Sequence, residues 1–544
     1  MNELQAKKVL IVDDMADVRG MLRSTMINCG TAAVDMAGSV PDAMRRLSAR
    51  EYDIILCDYN LGNSRNGQQF LEDLRRNQRI PLSTVFFMVT AERVYEYVVA
   101  AAELAPDDYL IKPFTAETLR LRLLSALDKK SVFDTVYSQI WQQNFDEAIA
   151  GCERIVANPA TSKYTIDALR LKAELCMTAG RLAESQAIFE QVLAQRAVPW
   201  ANLGLSRILM ATSDFAAAEQ ILADTLAANR NFIGAYDLLA NVQCSMGKLD
   251  EAQKTLMNAV ERSPRIVSRQ RRLGELATRN GDMGTAETAF RTAIDCDQNN
   301  ISFSGEDYAS LIRIHLAKGD IQGATITYSK MMQSTMRGDN GRERELVAGI
   351  VSSLIKAAEG KRDESKAQLN VALAALQDPD VSLSDELTLD LAHACYLNGE
   401  VKKAEEFIRA LVRNKPDAAA LKVQVSIVMG RGPHAAEAVK VIAATVDECA
   451  KINNQGVQMV QAGDVEGAMN LFIQAADSME KNTTVLLNAI RAMTLFLDKN
   501  GWDDELGQKA RDFLGRVYKA EPYHPKYAPA ANFLRETAKR FGVS

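Results

Sequence analysis

One short pattern recurs through most of the chain: a Gly or Asn, a spacer, a hydrophobic residue and then an Ala or Ser. It reads Asn144-Phe145-Asp146-Glu147-Ala148, Gly180-Arg181-Leu182-Ala183-Glu184-Ser185 and Asp214-Phe215-Ala216-Ala217-Ala218. It returns as Gly247-Lys248-Leu249-Asp250-Glu251-Ala252 and Gly281-Asp282-Met283-Gly284-Thr285-Ala286, with later copies ending at Ala324, Ser365, Ala404 and Ala468. The steps from 185 are 33, 34, 34, 38, 41 and 39 residues, then one of 64 that hides a degenerate unit around Ala420–Ala444. A period near 34 with a Gly turn in its middle fits a helical hairpin, which cannot bury its apolar face alone and must stack on its neighbours. The small residue belongs where two antiparallel helices nearly touch, and Phe or Leu four residues on fills the adjoining groove.

This period resembles the tetratricopeptide repeat. The copy at Ile233–Ile266 carries Tyr236, Leu239 and Ala240 on its first helix, Ala252, Leu256 and Ala259 on its second, and Pro264 as a stop; the next carries Leu273-Gly274, Ala286, Phe290 and Ala293. The resemblance implies an all-α superhelical solenoid over residues 131–544, about ten or eleven hairpins by its length. After about residue 300 the period lengthens, so longer helices or loops are expected, and Thr335–Arg342 reads as a polar loop. A final hairpin over Leu506–Tyr518 and a capping helix at about 529–541 would close the array. Such repeats imply a protein or peptide ligand in a groove.

Residues 1–130 follow a different rhythm. Apolar runs at Val9–Val12, Ala32–Ala37, Ile54–Cys57, Val85–Val89 and Tyr109–Ile111 alternate with helical patterns at Ala16–Asn28, Val40–Arg50, Gln68–Arg76, Arg93–Leu104 and Thr115–Leu127. Runs that are apolar without alternation are buried on both faces, which predicts a parallel sheet covered by helices on both sides. Ligands of such sheets bind beyond the carboxyl ends of the strands. There stand Asp13 and Asp14, Asp58, Thr90 and Lys112. An Asp ending an apolar run reads either as a turn start or as a site, since an unpaired carboxylate is costly in apolar surroundings. Three carboxylates at one edge repel unless a hard cation lies among them, and oxygen donors of this kind suit Mg²⁺. A Thr hydroxyl and a Lys ammonium add an anion-binding pair suited to phosphoryl transfer.

VLIVDD, ILCDYNLG, MVTA and YLIKPF resemble the marker stretches of the receiver domain of two-component response regulators, over about residues 5–129. The resemblance implies a doubly wound, flavodoxin-like α/β domain. It implies Asp58 as phosphoacceptor from a sensor-kinase histidine, and Mg²⁺ held by Asp13, Asp14, Asp58 and the backbone carbonyl of Asn60. Lys112 would pair with the phosphoryl group, Thr90 would hydrogen-bond it, Tyr109 would pass from exposed to buried, and Pro113 would follow a cis bond. Asn60 and Glu92 would tune dephosphorylation by water. Gly62 stands where the family often has Pro, and the loop Asn63–Gly67 is one residue longer than in the simplest receivers.

Composition narrows the rest. Net charge is −6, with 47% hydrophobic and 25% charged residues, so a DNA-binding basic domain is not expected. The eight Cys form no CxxC pair, and the four His (His315, His393, His434, His524) fall in separate repeats. Zinc sites and nucleophilic triads are therefore not expected. No apolar run approaches the ~20 residues of a membrane span, and the N-terminus lacks a signal-peptide pattern, which predicts a cytoplasmic protein. Arg265, Arg269, Arg271, Arg272 and Arg279 form a basic cluster, read as a solvated helix face or as a contact for an acidic peptide or RNA. Tyr95 and Tyr97 read either as part of an output surface, as the receiver resemblance implies, or as ordinary amphipathic surface residues.

The sequence therefore predicts a bacterial-type response regulator with an N-terminal receiver domain (1–130) and a tetratricopeptide scaffold (131–544). It is expected to be no enzyme beyond self-dephosphorylation of its phosphoacceptor. Its expected partners are a cognate sensor histidine kinase or phosphotransfer protein, a ligand of the repeat groove, and a receiver–solenoid or homodimer contact. The alternatives are an RNA-binding helical-repeat regulator, or a modulator competing for a shared sensor kinase.

Overall fold

The computed structural model describes the chain apart from residues 1–3, 62–66, 78, 91–105, 143, 197, 265, 298–304, 335–340, 379–380, 382, 416–417, 431, 522–523, 525 and 544. The expectations placed on Gly62 and its loop, on Glu92, Tyr95 and Tyr97, on the helix Arg93–Leu104 and on Arg265 lie outside the described residues, as does most of the polar loop Thr335–Arg342. The chain divides into two compact units, Met1–Lys248 with Glu261–Ser263, and Leu249–Val260 with Pro264–Ser544.

The first unit opens with five parallel strands: β1 (Lys8–Val12), β2 (Ala33–Ala37), β3 (Ile54–Asp58), β4 (Val85–Thr90) and β5 (Asp108–Ile111). Their order in the sheet is β2-β1-β3-β4-β5. The period-2 alternation of strand side chains sends Leu10, Val12, Ile55, Cys57, Phe86 and Met88 into one core. Val9, Ile11, Ile54, Leu56, Phe87 and Val89 enter the other, with Leu22, Met26, Leu119 and Leu123 from helices. Four of the residues of β2 are only half-buried because it is an edge strand, which is why its sequence signal is the weakest.

The last receiver helix differs from expectation. It does not end at Leu127 but runs unbroken from Ala116 to Trp141. Thr115 caps its start by accepting the Thr118 N–H at 3.1 Å. No Gly or Pro lies between 116 and 141, so nothing in the backbone stops the helix. This shared helix packs on the sheet with its first half and on the helix Phe145–Ala157 with its second.

The repeats are helix pairs, beginning with Thr165–Thr178 and Leu182–Gln195. Their turns explain the recurring Gly. After Thr165–Thr178, Gly180 takes φ 75°, its N–H bonds the Met177 carbonyl (3.0 Å), and Arg181 N–H reaches back to Cys176 (2.7 Å). That doubly bonded left-handed stop satisfies two orphan carbonyls and favours Gly. Ser213 holds the same place one repeat later at φ 64°, the one non-Gly residue with positive φ among the described residues. Close approach explains the second small position. A Cβ on Gly274 would lie 2.7 Å from the Phe290 ring, and one on Gly204 2.2 Å from Phe189.

In the second unit the longer period comes with longer helices such as Gly341–Ala358. Ten consecutive residues there, Leu346 to Ile355, are buried, and a helix buried all round is a core element rather than one wall of an open groove. The 64-residue step holds the helix Ala418–Met429 and then one helix from Pro433 to Gln461. Its first half packs on the preceding hairpin and its second on Val465–Ser478. Two repeats are thus fused where no Gly or Pro separates them. The helix Asp504–Ala520 and the capping helix Tyr527–Arg540 end the array.

Candidate functional site

β1 and β3 are neighbours in the sheet, with Val12 in register with Cys57. Their ends therefore bring Asp13 and Asp14 beside Asp58. One oxygen of each carboxylate lies within 4.8 Å of the others. Among the described residues this is the one group of three or more acidic, His or Cys side chains close enough to share an ion. Asp13 is fully buried, Asp58 half-buried and Asp14 exposed. β5 delivers Lys112 to the same edge: its Nζ donates to Asp13 Oδ2 at 3.1 Å and to Asp58 Oδ1 at 3.2 Å. The Lys112 N–H bonds the Thr90 carbonyl (2.7 Å), which holds the ends of β4 and β5 together. The Lys112–Pro113 bond is cis.

Among the described residues, three carboxylates gather there with one ammonium, which pairs with Asp13 and Asp58. Burial pushes the Asp58 carboxyl above its ordinary range; Lys112 pulls it back and Asp13 pushes it up again. This surplus of hard oxygen donors is what a divalent cation would neutralise, so the residues present fit Mg²⁺. Asn60 follows Asp58 on the exposed side of the turn, Thr90 ends β4 half-buried, and Tyr109 is buried within β5 at 7% exposure.

Several supporting residues had no motif to mark them. Arg19 donates to the Asp13 carbonyl at 2.7 Å, and Asp13 Oδ1 accepts the Met15 N–H at 2.9 Å. Behind Asp58, Gly67 gives its N–H to Tyr59 O (2.8 Å), and a Cβ there would lie 2.3 Å from the Asp58 carbonyl and 2.7 Å from Met88 Sδ. Position 67 is a Gly because nothing larger fits against the end of β3. Cys57, the neighbour of Asp58, is buried, and burial pushes its thiol well above its ordinary range.

Of the clustered arginines, Arg269 is buried at 6% exposure, and Arg271, half-buried, forks onto Asp307 at 2.6 and 2.7 Å. Arg313 grips the buried Asp390 in the same way. His393 and His434 come near each other, with His434 stacked on Tyr396 (centroids 5.3 Å). Burial holds His393 down to about 4, against the pull of Asp390. None of the eight cysteines is in a disulfide. No helix among the described residues is long and apolar enough to cross a membrane.

Comparison with known proteins matches this division. The model of the response regulator receiver domain matches residues 9–124. Two tetratricopeptide repeat models match residues 177–242 and 238–301. Chemotaxis protein CheY-3 of Vibrio cholerae is 29% identical over 116 residues, 21% of this chain and 88% of that protein. Chemotaxis protein CheY of Pseudomonas aeruginosa is 28% identical over 116 residues, 21% of this chain and 92% of its own. Among solved structures, chemotaxis response regulator CheY4 of Vibrio cholerae aligns over 22% of this chain and 98% of its own at 28% identity and a TM-score of 0.21. A tetratricopeptide repeat protein from Parabacteroides merdae aligns over 54% and 97% at 14% identity and a TM-score of 0.31. The chain carries a response regulator receiver domain at its N-terminus, and tetratricopeptide repeats follow it.

Proposed function

We propose that this chain is a cytoplasmic, phosphorylation-dependent response regulator whose output is protein binding by its helical repeats. One observation carries the reading: the Lys112 ammonium lies between Asp13 and Asp58 at a sheet edge that also holds Asp14 and Thr90. An Asp58 oxygen attacks the phosphorus of a phosphohistidine on a sensor kinase or phosphotransfer protein. The phosphorus–nitrogen bond breaks, its electron pair stays on the imidazole, and an aspartyl phosphate forms. Asp13, Asp14 and Asp58, with the Asn60 carbonyl, would hold Mg²⁺, which supplies positive charge against the phosphoryl oxygens. Lys112 pairs with the phosphoryl group once it is on Asp58, and the Thr90 hydroxyl donates to it. Water later attacks the phosphorus; the bond to the Asp58 oxygen breaks, its electron pair returns to the carboxylate and inorganic phosphate leaves, with Asn60 and Glu92 setting the rate, so the domain is a phosphoacceptor with self-dephosphorylation and no further catalysis.

The new group adds about −1.5 to −2 charge at the edge. Drawing Lys112 and Thr90 toward it biases β5 and the shared helix, and the repeats present their partner surface accordingly. Affinity capture with the full chain, after treatment with a small-molecule phosphodonor and Mg²⁺, tests this. Partner yield is expected to differ at least several-fold between wild type and Asp58→Ala; equal capture by both contradicts a phosphorylation-controlled output.

A further inference from the structure

The shared helix carries a lysine where its apolar stripe calls for a leucine. Leu119, Leu123, Phe133 and Val136 are its buried neighbours, and Lys130 stands in their row at 8% exposure. Its Nζ lies 2.7 Å from Asp107 Oδ1 and donates to the Leu82 carbonyl at 2.7 Å. It also sits 5.1 Å from the centroid of the Tyr137 ring. Asp107 is itself fixed: its other oxygen accepts the Phe86 N–H at 2.8 Å, and its own N–H bonds the Phe86 carbonyl at 2.8 Å. Arg75, nearly buried, donates to the carbonyls of Pro81 (2.8 Å) and Thr84 (3.1 Å) and faces the same carboxylate at 3.8 Å. Burial lowers the Lys130 ammonium and Asp107 raises it again, as a retained buried pair requires.

The position of this cluster matters. Asp107 immediately precedes β5, and Lys112 immediately follows it, about 17 Å away at ~3.3 Å per residue. Asp108, the first residue of β5, is gripped by Arg122 of the same helix. The edge strand that bears Lys112 is therefore tied twice to the shared helix, at Arg122 and at Lys130. Beyond Lys130 that helix is tied to the first repeats. Lys129 meets Asp167 (2.5 Å), Asp128 meets Lys163 and the Tyr164 hydroxyl (both 2.6 Å), and Phe133 packs edge-on against Tyr164. With no Gly or Pro along 26 residues, the helix has no hinge between the two sets of contacts.

We propose that Lys130, Asp107 and Arg75 form a buried ionic latch that makes β5 and the first helical hairpins move as one body. Phosphorylation at Asp58 is then read by the repeats as a shift of the shared helix, rather than by docking and release of a tethered receiver. The proposal rests on the phosphoacceptor reading above and deepens it. A polar latch serves here better than a leucine because hydrogen-bonded charges fix one register, whereas an apolar contact tolerates sliding.

Hydrogen exchange on the full chain, with and without beryllofluoride and Mg²⁺, tests the latch. In wild type, beryllofluoride is expected to change exchange on the order of threefold or more both at the sheet edge (84–90 and 106–115) and in the hairpin region 128–178. In Lys130→Met the sheet-edge response persists and the hairpin response disappears. Asp107→Asn with Lys130→Met removes the Lys130–Asp107 pair without stranding a carboxylate, leaves Arg75 on the Pro81 and Thr84 carbonyls, and shows the same loss. A hairpin response of wild-type size in both variants overturns the latch, as does a wild-type chain that responds at the edge and nowhere in 128–178. Absence of any response at the wild-type edge contradicts the phosphoacceptor reading instead, and is told apart because latch failure leaves that edge response intact.

Discussion

At the open edge of the receiver, Asp13, Asp14 and Asp58 gather around one ammonium among the described residues, which pairs with Asp13 and Asp58; in the second unit, Asp307 and Asp390 each have a guanidinium of their own. Both regions take carboxylates out of water, and they resolve the cost in opposite ways. Arg271–Asp307 and Arg313–Asp390 are closed pairs that hold one repeat on another. Among the described residues the receiver edge is short of positive charge; burial raises the Asp58 carboxyl, and Asp13 adds to the rise. A closed pair has nothing further to bind. A surplus of negative charge around a buried Asp is a place for a cation and for a group that the cation can bring. The comparison thus separates charges that build the scaffold from charges that await a ligand.

Breaking a closed pair should have the largest effect. Arg313→Met strands Asp390 and is expected to cost about 3–5 kcal/mol in denaturant unfolding of the second unit, while Arg313→Met with Asp390→Leu regains most of it. A single-variant cost below about 1 kcal/mol would remove the pair from the structural side of the comparison.

The pH response comes next. The unfolded chain protonates His393 near 6.5, whereas the folded ring stays neutral down to about 4. Stability held by the neutral ring is therefore complete above about pH 6.5 and is lost as pH falls to about 4, up to about 3 kcal/mol. His393→Gln should flatten that slope in a pH series of melts.

Packing gives a smaller effect. Gly204→Ala drives a methyl into Phe189 and is expected to cost about 1–3 kcal/mol, read as a lower melting temperature of the first unit. The smallest effect has the opposite sign and sharpens the comparison most. Without Mg²⁺, Asp58→Asn relieves a carboxylate that burial disfavours and should stabilise the receiver by about 0.5–1 kcal/mol at neutral pH. Mg²⁺ should then raise the melting temperature of the wild type more than that of the variant.

The sequence made some of this plain and hid the rest for physical reasons. β1, β3 and β4 are legible because strands buried on both faces become unbroken apolar runs, and Asp58 stands out because it ends one. The repeats are legible through their turn glycines, which a left-handed stop requires, and through Gly274 under Phe290. The shared helix was not legible as one element. Asp128-Lys129-Lys130 reads as a polar end, yet Lys130 turns inward to Asp107, a partner far away in sequence. Its spacing from Leu123 and Phe133 was the one available signal. The fusion over Pro433–Gln461 was hidden likewise, since a missing turn leaves no residue to mark it. The basic cluster misled because charge reads as surface, whereas Arg269 is buried and Arg271 is matched by Asp307 on the next repeat.

The central claim is that the surplus of charge at the receiver edge exists for Mg²⁺ and a phosphoryl group on Asp58. Intact and peptide mass spectrometry of the full chain, incubated with acetyl phosphate in Mg²⁺ or in chelator, tests it most directly. The account predicts one phosphoryl group, on the peptide containing Asp58, formed with Mg²⁺ and absent with chelator or in Asp58→Ala. Equal labelling without Mg²⁺, or a label of wild-type size in Asp58→Ala, would contradict it.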